Sequence, residues 1–207
     1  MNHAADAYMR GVALPSVLAL AIFCLPAGGG AASWLDASPP AQWNRAGAPV
    51  PSAPPPAGDL PTAARCRGTA SRLPRGSEEQ ELASAGWTLF GNAQEAGGTL
   101  LVKACTSVDG MCRPLGYQVF VFVGGQFAGT LAPGPMFARS EGNEVRERLV
   151  SPDAVVAEFA RYAPADPLCC PSRVTTVTYA VHRGSGPPVL VPTRSRTAAT
   201  VPRPDKP

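Results

Sequence analysis

The side chains of this chain with the most distinctive chemistry are its six cysteines and two histidines. Cys169 and Cys170 are adjacent and stand between two prolines in D-P-L-C-C-P-S, residues 166–172, and His182 follows shortly afterwards. A histidine can activate a neighbouring cysteine as a nucleophile. A thiol-dependent enzyme or redox protein that uses Cys169 or Cys170 with His182 is therefore one hypothesis. The C-x-x-C motif that lowers a thiol pKa at the start of a helix does not occur in the sequence.

A structural use of the cysteines is the interpretation that the sequence favours. Five of them lie beyond residue 32, namely Cys66, Cys105, Cys112, Cys169 and Cys170. An odd number permits at most two bridges within one chain. Cys105 can close locally on Cys112, but a bridge from Cys112 to Cys169 or Cys170 removes more unfolded-state entropy, on the order of 4 kcal/mol. We expect the longer bridge, and a Cys169–Cys170 bond is the less favoured pairing.

Residues 1–32 have the layout of a secretory signal peptide. Arg10 precedes an apolar run, residues 12–25, and the small residues A-G-G-G-A-A-S follow it. The run is shorter than the roughly 20 residues that span a bilayer as a helix. We expect cleavage near Ala32 and a periplasmic or extracellular protein. Two alternatives would anchor it to the envelope: an uncleaved segment, or lipidation of Cys24, although Phe23 replaces the small residue of a lipoprotein signal.

Composition divides the rest of the chain into three parts. Residues 33–61 are rich in Pro, Ala and Gly and are predicted to form a disordered linker, in which Trp34 and Trp43 are incidental or make weak contacts. Residues 62–193 are predicted to be a globular domain, long enough to bury one core. Residues 194–207 resemble the linker in composition and are predicted to be a disordered tail.

Strand-like runs dominate the predicted domain. β-Branched and aromatic residues between turn residues predict strands at 87–90, 99–106, 117–123, 126–131, 144–150, 173–182 and 189–191. The run Y-Q-V-F-V-F-V is apolar on both faces, which is typical of a central strand that is covered on both sides. The glycine-containing stretch 91–98 is expected to be a hairpin connection.

Two short helices are also predicted. The first begins at a capping box, S-E-E-Q at residues 77–80, and ends at Gly86. The second begins at Ser151, with Pro152 at its first helical position. Its buried side would carry Val155, Val156, Phe159 and Tyr162. The predicted fold class is α+β, a mostly antiparallel β-sheet with one or two short helices, stabilised by disulfides.

Charge and motifs exclude several classes of function. The formal net charge is +3 and the arginines are spread along the chain, so nucleic-acid binding is not expected. Phosphate-binding loops, a G-x-S-x-G elbow and paired C-x-x-C zinc motifs do not occur in the sequence, and we predict no cofactor, metal or catalytic residue. Glu78 and Glu79 are expected to cap a helix, and Glu144 and Glu147 to lie on an exposed strand.

Three blocks carry a resemblance to a known family. They are V-D-G-M-C-R-P-L-G-Y-Q-V-F-V-F-V-G-G-Q-F-A-G-T-L-A-P at 108–133, P-M-F-A-R-S-E-G at 135–142 and E-F-A-R-Y-A-P-A-D-P-L-C-C-P-S at 158–172. With T-V-T-Y, they resemble the LppP/LprE-type lipoproteins of the bacterial envelope. The resemblance implies envelope attachment and assigns no catalytic residue.

The sequence thus favours an exported envelope protein that acts as a non-catalytic binding or structural module. Its partner would be an unidentified envelope protein or ligand. Exposed hairpin loops and the segment A-P-G-P-M-F-A-R around Met136 are candidate contact surfaces. Weak membrane association through an uncleaved or lipidated N-terminus is an additional hypothesis.

Overall fold

A computed structural model describes residues 32–56, 66 and 71–200 of the chain. Residues 1–31 of the predicted signal peptide, with Cys24, residues 57–61 of the predicted linker and residues 201–207 of the predicted tail lie outside these described residues. The described part contains one helix, α1 (Ser77–Ser84). Its strands are β1 (Thr88–Ala96), β2 (Thr99–Cys105), β3 (Ser107–Val108), β4 (Pro114–Leu115), β5 (Gln118–Val123), β6 (Gln126–Thr130), β7 (Glu144–Ser151), β8 (Ala154–Arg161), β9 (Arg173–His182) and β10 (Val189–Ala199).

The strands form two four-stranded antiparallel sheets that share one core. The first sheet has the order β1-β2-β5-β6 and the second the order β10-β9-β8-β7, while β3 and β4 form a small separate hairpin. Inward side chains of both sheets belong to a single buried cluster, among them Leu101, Val121, Val155 and Tyr179. The architecture is therefore a β-sandwich. The predicted predominance of antiparallel sheet is confirmed, but there are two sheets where the sequence predicted one.

Strand β5 is buried along its whole length, as its apolar pattern predicted. Val119 and Val121 face the second sheet. Phe120 and Phe122 point the other way, into a second cluster formed with Leu82 of α1. Helix α1, together with Val50 and Ala53, therefore covers the outer face of the first sheet.

Helix α1 exists where the sequence predicted it, but its start is different. The N-cap residue is Gly76, which has no side chain, and the Ser77 hydroxyl donates to Glu78 at 2.8 Å, so the predicted capping box is wrong. Gly86, at φ +91°, ends the helix as predicted. The Gly86 and Trp87 amides donate to the carbonyls of Ala83 and Leu82, which satisfies two carbonyls at the helix end.

The second predicted helix is wrong, because residues 151–161 form part of the β7–β8 hairpin. Val155 and Phe159 are fully buried while Val156 between them is half-buried, which is the two-residue period of a strand. Ser151 ends β7, and Pro152 and Asp153 make the turn of this hairpin. Polar residues and proline that start helices also form tight turns, so the local signal was ambiguous.

Residues 33–56, the described part of the predicted disordered linker, lie against the sandwich. Trp34 contacts Phe159 edge-to-face at 4.9 Å between ring centroids, and Trp43 contacts Tyr179 at 6.3 Å. Both tryptophans pack against the main core cluster, so their interpretation as incidental or weak contacts is wrong. At the other end, β10 runs to Ala199, so residues 194–199 of the predicted tail are a paired strand. Neighbouring strands supply the pairing that composition alone could not indicate.

A buried arginine fastens the beginning of this N-terminal segment. The Arg161 guanidinium on β8 is in contact with the carboxylates of Asp36 and Glu141 and donates to the Leu35 carbonyl at 3.3 Å. Its hydrogen bond to Asp36 lowers the pKa of that carboxyl group. Buried charges require such partners, so Arg161 and the segment stabilise one another.

Asn44 joins the β6 edge of the first sheet to the β10 edge of the second. Its side-chain Nδ2 donates to the carbonyls of Thr130 and Leu190 at 3.0 and 3.1 Å, and its Oδ1 accepts the Thr130 amide at 2.9 Å. Gln42 adds a bond to the Leu190 carbonyl at 3.1 Å. A Cβ on Gly129, which has φ +142°, would overlap the Asn44 side chain. Glycine at this position therefore allows the amide to approach the strand.

Gln94 makes the corresponding connection at the opposite edges, β1 and β7. Its Oε1 accepts the Leu149 amide at 2.9 Å, and its Nε2 donates to the Glu147 carbonyl at 3.2 Å. The register of β1 against β2 shifts between Phe90 and Gln94. Such a bulge redirects the side chains of an edge strand. Side-chain amides thus replace the missing ladder bonds at both ends of the sandwich.

Replacement of Asn44 by Ala should lower the free energy of unfolding by about 1–3 kcal/mol, because it leaves the buried Thr130 amide without its acceptor. Chemical denaturation monitored by tryptophan fluorescence would measure the change. Asn92→Ala, at an exposed position of β1, is the matched control and should change stability by less than about 0.5 kcal/mol. Equal stability of the two variants would contradict the bridging role of Asn44.

Candidate functional site

The structure joins Cys66 to Cys112 and leaves the predicted bridge from Cys112 to Cys169 or Cys170 unformed. The two bonded residues are 46 positions apart in sequence and their Cα atoms are 5.3 Å apart. Cys112 lies in the turn between β3 and β4, at φ +61°, and packs against the core next to the buried Cys66. The predicted long bridge is wrong because Cys112 faces the core, whereas Cys169 and Cys170 lie on an exposed loop.

Cys169 and Cys170 are bonded to each other in the loop between β8 and β9. The Asp166 carboxylate accepts the amides of Ala163 and Ser172 at 2.7 and 2.8 Å, and these two bonds lower its pKa. The Tyr162 hydroxyl donates to the Leu168 carbonyl at 3.0 Å. Residues 162–172, which we call the cysteine loop, are therefore organised by their own hydrogen bonds. Cys169 and Cys170 form no bond to Cys112 or to another hairpin.

The predicted cysteine–histidine pair is not assembled. His182 is the last residue of β9, and the cysteine loop precedes the first residue of that strand. A strand of this length separates its ends by about 30 Å. Cys105 is the one unbonded cysteine among the described residues, and burial raises the pKa of its thiol to about 11. It is consequently a poor nucleophile at neutral pH.

Met136, at the centre of a candidate contact segment, is buried and exchanges two backbone hydrogen bonds with Tyr117. Phe137 beside it is 46% exposed. The segment is therefore anchored in the core through Ala132 and Met136, while Pro133, Pro135, Phe137 and Arg139 are exposed. Within the described ranges, no three His, Cys, Asp or Glu side chains are placed to hold a metal ion.

A buried cluster of ionisable groups lies between the two sheets where sequence reasoning predicted an exposed strand. Lys103 of β2 is 2.6 Å from Glu147 and 3.4 Å from Glu144, both on β7. The side chains of Glu144 and Glu147 are 3% and 9% exposed. Gln94 donates to the Glu147 carboxylate at 3.2 Å, and the Tyr117 hydroxyl to the Glu144 carbonyl at 2.8 Å. The expectation for these two glutamates is therefore wrong.

The cluster contains two carboxyl groups but one ammonium group, and Glu144 is the carboxyl group whose pKa is raised. Burial, followed by its hydrogen bond with Glu147, raises the pKa of Glu144 to about 8. Burial opposes the charge of Lys103, but the two carboxylates still raise its pKa. Oε1 of Glu144 has no hydrogen-bond partner in the described part of the chain. Glu144 is thus protonated in the folded protein over a pH range in which an unfolded chain ionises it.

The outer face of the second sheet carries four exposed arginines. Arg146 and Arg148 lie on β7, and Arg194 and Arg196 lie on β10. Side chains two residues apart on a strand share a face, so each Arg-x-Arg pair is a signal that the sequence did contain. The first pair lies on the predicted strand 144–150, but the prediction of a tail at 194–207 conceals the second pair, which lies on β10.

The register places these arginines in two rows across the sheet. One row runs Arg146, Glu158, Thr176, Arg196, and the other runs Arg148, Val156, Thr178, Arg194. The four central residues are half-buried, and all four arginines are exposed. We call these eight residues the arginine face. It is the strongest candidate for a binding surface in the described structure.

Comparison with known proteins confirms the resemblance seen in the sequence. Residues 100–184 match the LppP/LprE lipoprotein family. The matched region runs from β2 to the residues just after β9 and includes Glu144, Glu147 and the cysteine loop. No curated protein and no solved structure matches the chain.

The family match indicates an exported, envelope-associated protein and does not indicate a molecular function. None of the helices in the described residues is sufficiently long and apolar to cross a membrane.

Glu144 should make the folded protein lose stability as the pH rises from about 4.5 to about 8, because over this range the folded state retains a proton that the unfolded state releases. Glu144→Gln should flatten this dependence and raise the stability near pH 8 relative to the unmodified chain. Thermal unfolding midpoints across that pH range would measure the effect. Glu158→Gln, the same substitution on the arginine face, should keep the slope, and an unchanged slope in Glu144→Gln would contradict the assignment.

Proposed function

We propose that this chain is an exported envelope protein whose β-sandwich is a non-catalytic binding module that uses the arginine face. The observation that carries the proposal is the difference between the two outer faces of the sandwich. One is covered by the chain itself, and the other presents charged side chains to solvent.

The covered face belongs to the first sheet. Leu82 and Trp87 lie over Phe120 and Phe122, and Trp87 contacts the Phe120 ring at 4.9 Å. The Trp87 indole donates to the Pro51 carbonyl at 2.7 Å, which fixes residues 50–53 over the same region. Burial of this large apolar surface stabilises the fold.

The arginine face makes no comparable contribution to stability. Its four arginines form no hydrogen bond or ion pair with other described residues, so their charges are available to a partner. Arginine forms planar, bidentate hydrogen bonds with carboxylate and phosphate groups. Because the arginines stand on paired strands, their backbones are already fixed before a partner binds, which reduces the entropy cost of recognition.

Site-specific photocrosslinking in intact bacterial cells that export the chain tests the proposal. A photoreactive amino acid at Thr178, in the middle of the arginine face, should yield adducts in the envelope fraction. The same amino acid at Gln80, an exposed residue of α1 on the covered side, is the matched control and should yield few. Equal adduct yields from the two positions, or none from Thr178, would count against the arginine face as a binding surface.

A further inference from the structure

The arginine face has the dimensions and chemistry of a site for several anionic groups at once. Neighbouring strands are about 4.8 Å apart and alternate residues about 7 Å, so the four arginines occupy the corners of a rectangle of about 14 by 7 Å. Arg146 and Arg148 form one short side, and Arg194 and Arg196 form the other. The second sheet thus presents two separate pairs of guanidinium groups on one face.

The charge on this face is strongly unbalanced. Glu158 is the one acidic residue in the two rows, against four arginines, and it forms no ion pair with another described residue. It lies beside Arg146 and across Thr176 from Arg196. The chain as a whole has a net charge of +3, so this one face concentrates as much positive charge as the whole molecule carries in excess.

Apolar side chains accompany the arginines. Val145, the residue before Arg146 on β7, is 49% exposed, and Val150, two residues after Arg148, is 51% exposed. Val156 lies between Arg148 and Thr178. Arginine side chains keep their guanidinium groups at a polar boundary while their methylene stems lie along apolar surface. A surface that mixes arginine with exposed valine is suited to the headgroup region of a bilayer, which offers phosphate groups above an apolar layer.

We propose that the arginine face binds the surface of a membrane that contains anionic phospholipid, through bidentate hydrogen bonds from its four arginines to lipid phosphates. This inference rests on the proposed function and identifies the partner. The sandwich would then lie with its second sheet against the membrane and its helix directed away from it. An acidic protein partner would satisfy the charge but would not require the exposed valines.

Co-sedimentation of the purified full chain with lipid vesicles tests the inference. The chain should bind phosphatidylcholine vesicles that contain about 30 mol% phosphatidylglycerol, and binding should weaken as the salt concentration rises, because salt screens the attraction between arginines and anionic lipid. Replacement of Arg146, Arg148, Arg194 and Arg196 by Gln should reduce the affinity at least about tenfold.

A variant with the same change in net charge provides the matched control. Arg45, Arg75, Arg139 and Arg173 are exposed and lie outside the arginine face, and their replacement by Gln should reduce the affinity by less than about threefold. Any contribution of the apolar segment 12–25 is common to both variants. If the quadruple arginine-face variant does not fold, the double variant Arg194→Gln/Arg196→Gln takes its place, with Arg45→Gln/Arg139→Gln as its control.

Three results would overturn the inference. They are equal loss of binding in the two variants, undiminished binding of the arginine-face variant, and tighter binding of soluble polyglutamate than of the anionic vesicles through the same arginines. Failure with vesicles, together with crosslinks from Thr178 in cells, would reject the lipid and retain a binding module with another partner. Absence of both would reject the proposed function as well.

Discussion

The structure depends on two side-chain amides that close the open edges of a β-sandwich. Edge strands leave backbone groups unpaired, and an exposed edge is prone to pairing with other chains. Asn44 spans the β6 and β10 edges, and Gln94 spans the β1 and β7 edges. Each amide offers a donor and an acceptor, so it can continue the hydrogen bonding of a strand. The two sheets are consequently held together by polar contacts at their edges as well as by the apolar core.

This closure determines which surfaces remain for function. Because Asn44 must reach Thr130 and Leu190, residues 32–56 are fixed along the sandwich and continue over the outer side of the first sheet. At the opposite margin, Gln94 also contacts the Glu147 carboxylate, so the same bridge supports the buried cluster of Lys103, Glu144 and Glu147. The Asn44 contacts and the buried cluster beside Gln94 therefore both hold the two sheets together. The arginine face is left uncovered, and its charge has no role in that joining.

Sequence reasoning succeeded where a local pattern has one structural meaning. The apolar run of β5 predicted a strand covered on both faces, and Gly86 predicted the end of α1. The sequence does not predict the structure where contacts between residues that are distant in the sequence determine it. Ser151, Pro152 and Asp153 suit a helix start and a hairpin turn equally, and pairing with β9 selects the turn. Glu144 is buried because Lys103, 41 residues earlier, lies opposite it, and the same dependence on distant contacts concealed the Cys66–Cys112 bond.

Hydrogen exchange of the native chain tests the closure of the sandwich most directly. The decisive amides are those of Thr130 and Leu149, which donate to the Asn44 and Gln94 side chains at 2.9 Å. Site-resolved exchange should show both amides protected to the same degree as amides in the middle of β2 and β9, because they open only when the sheets separate. Exchange of Thr130 and Leu149 at the rate of solvent-exposed edge amides would contradict the account.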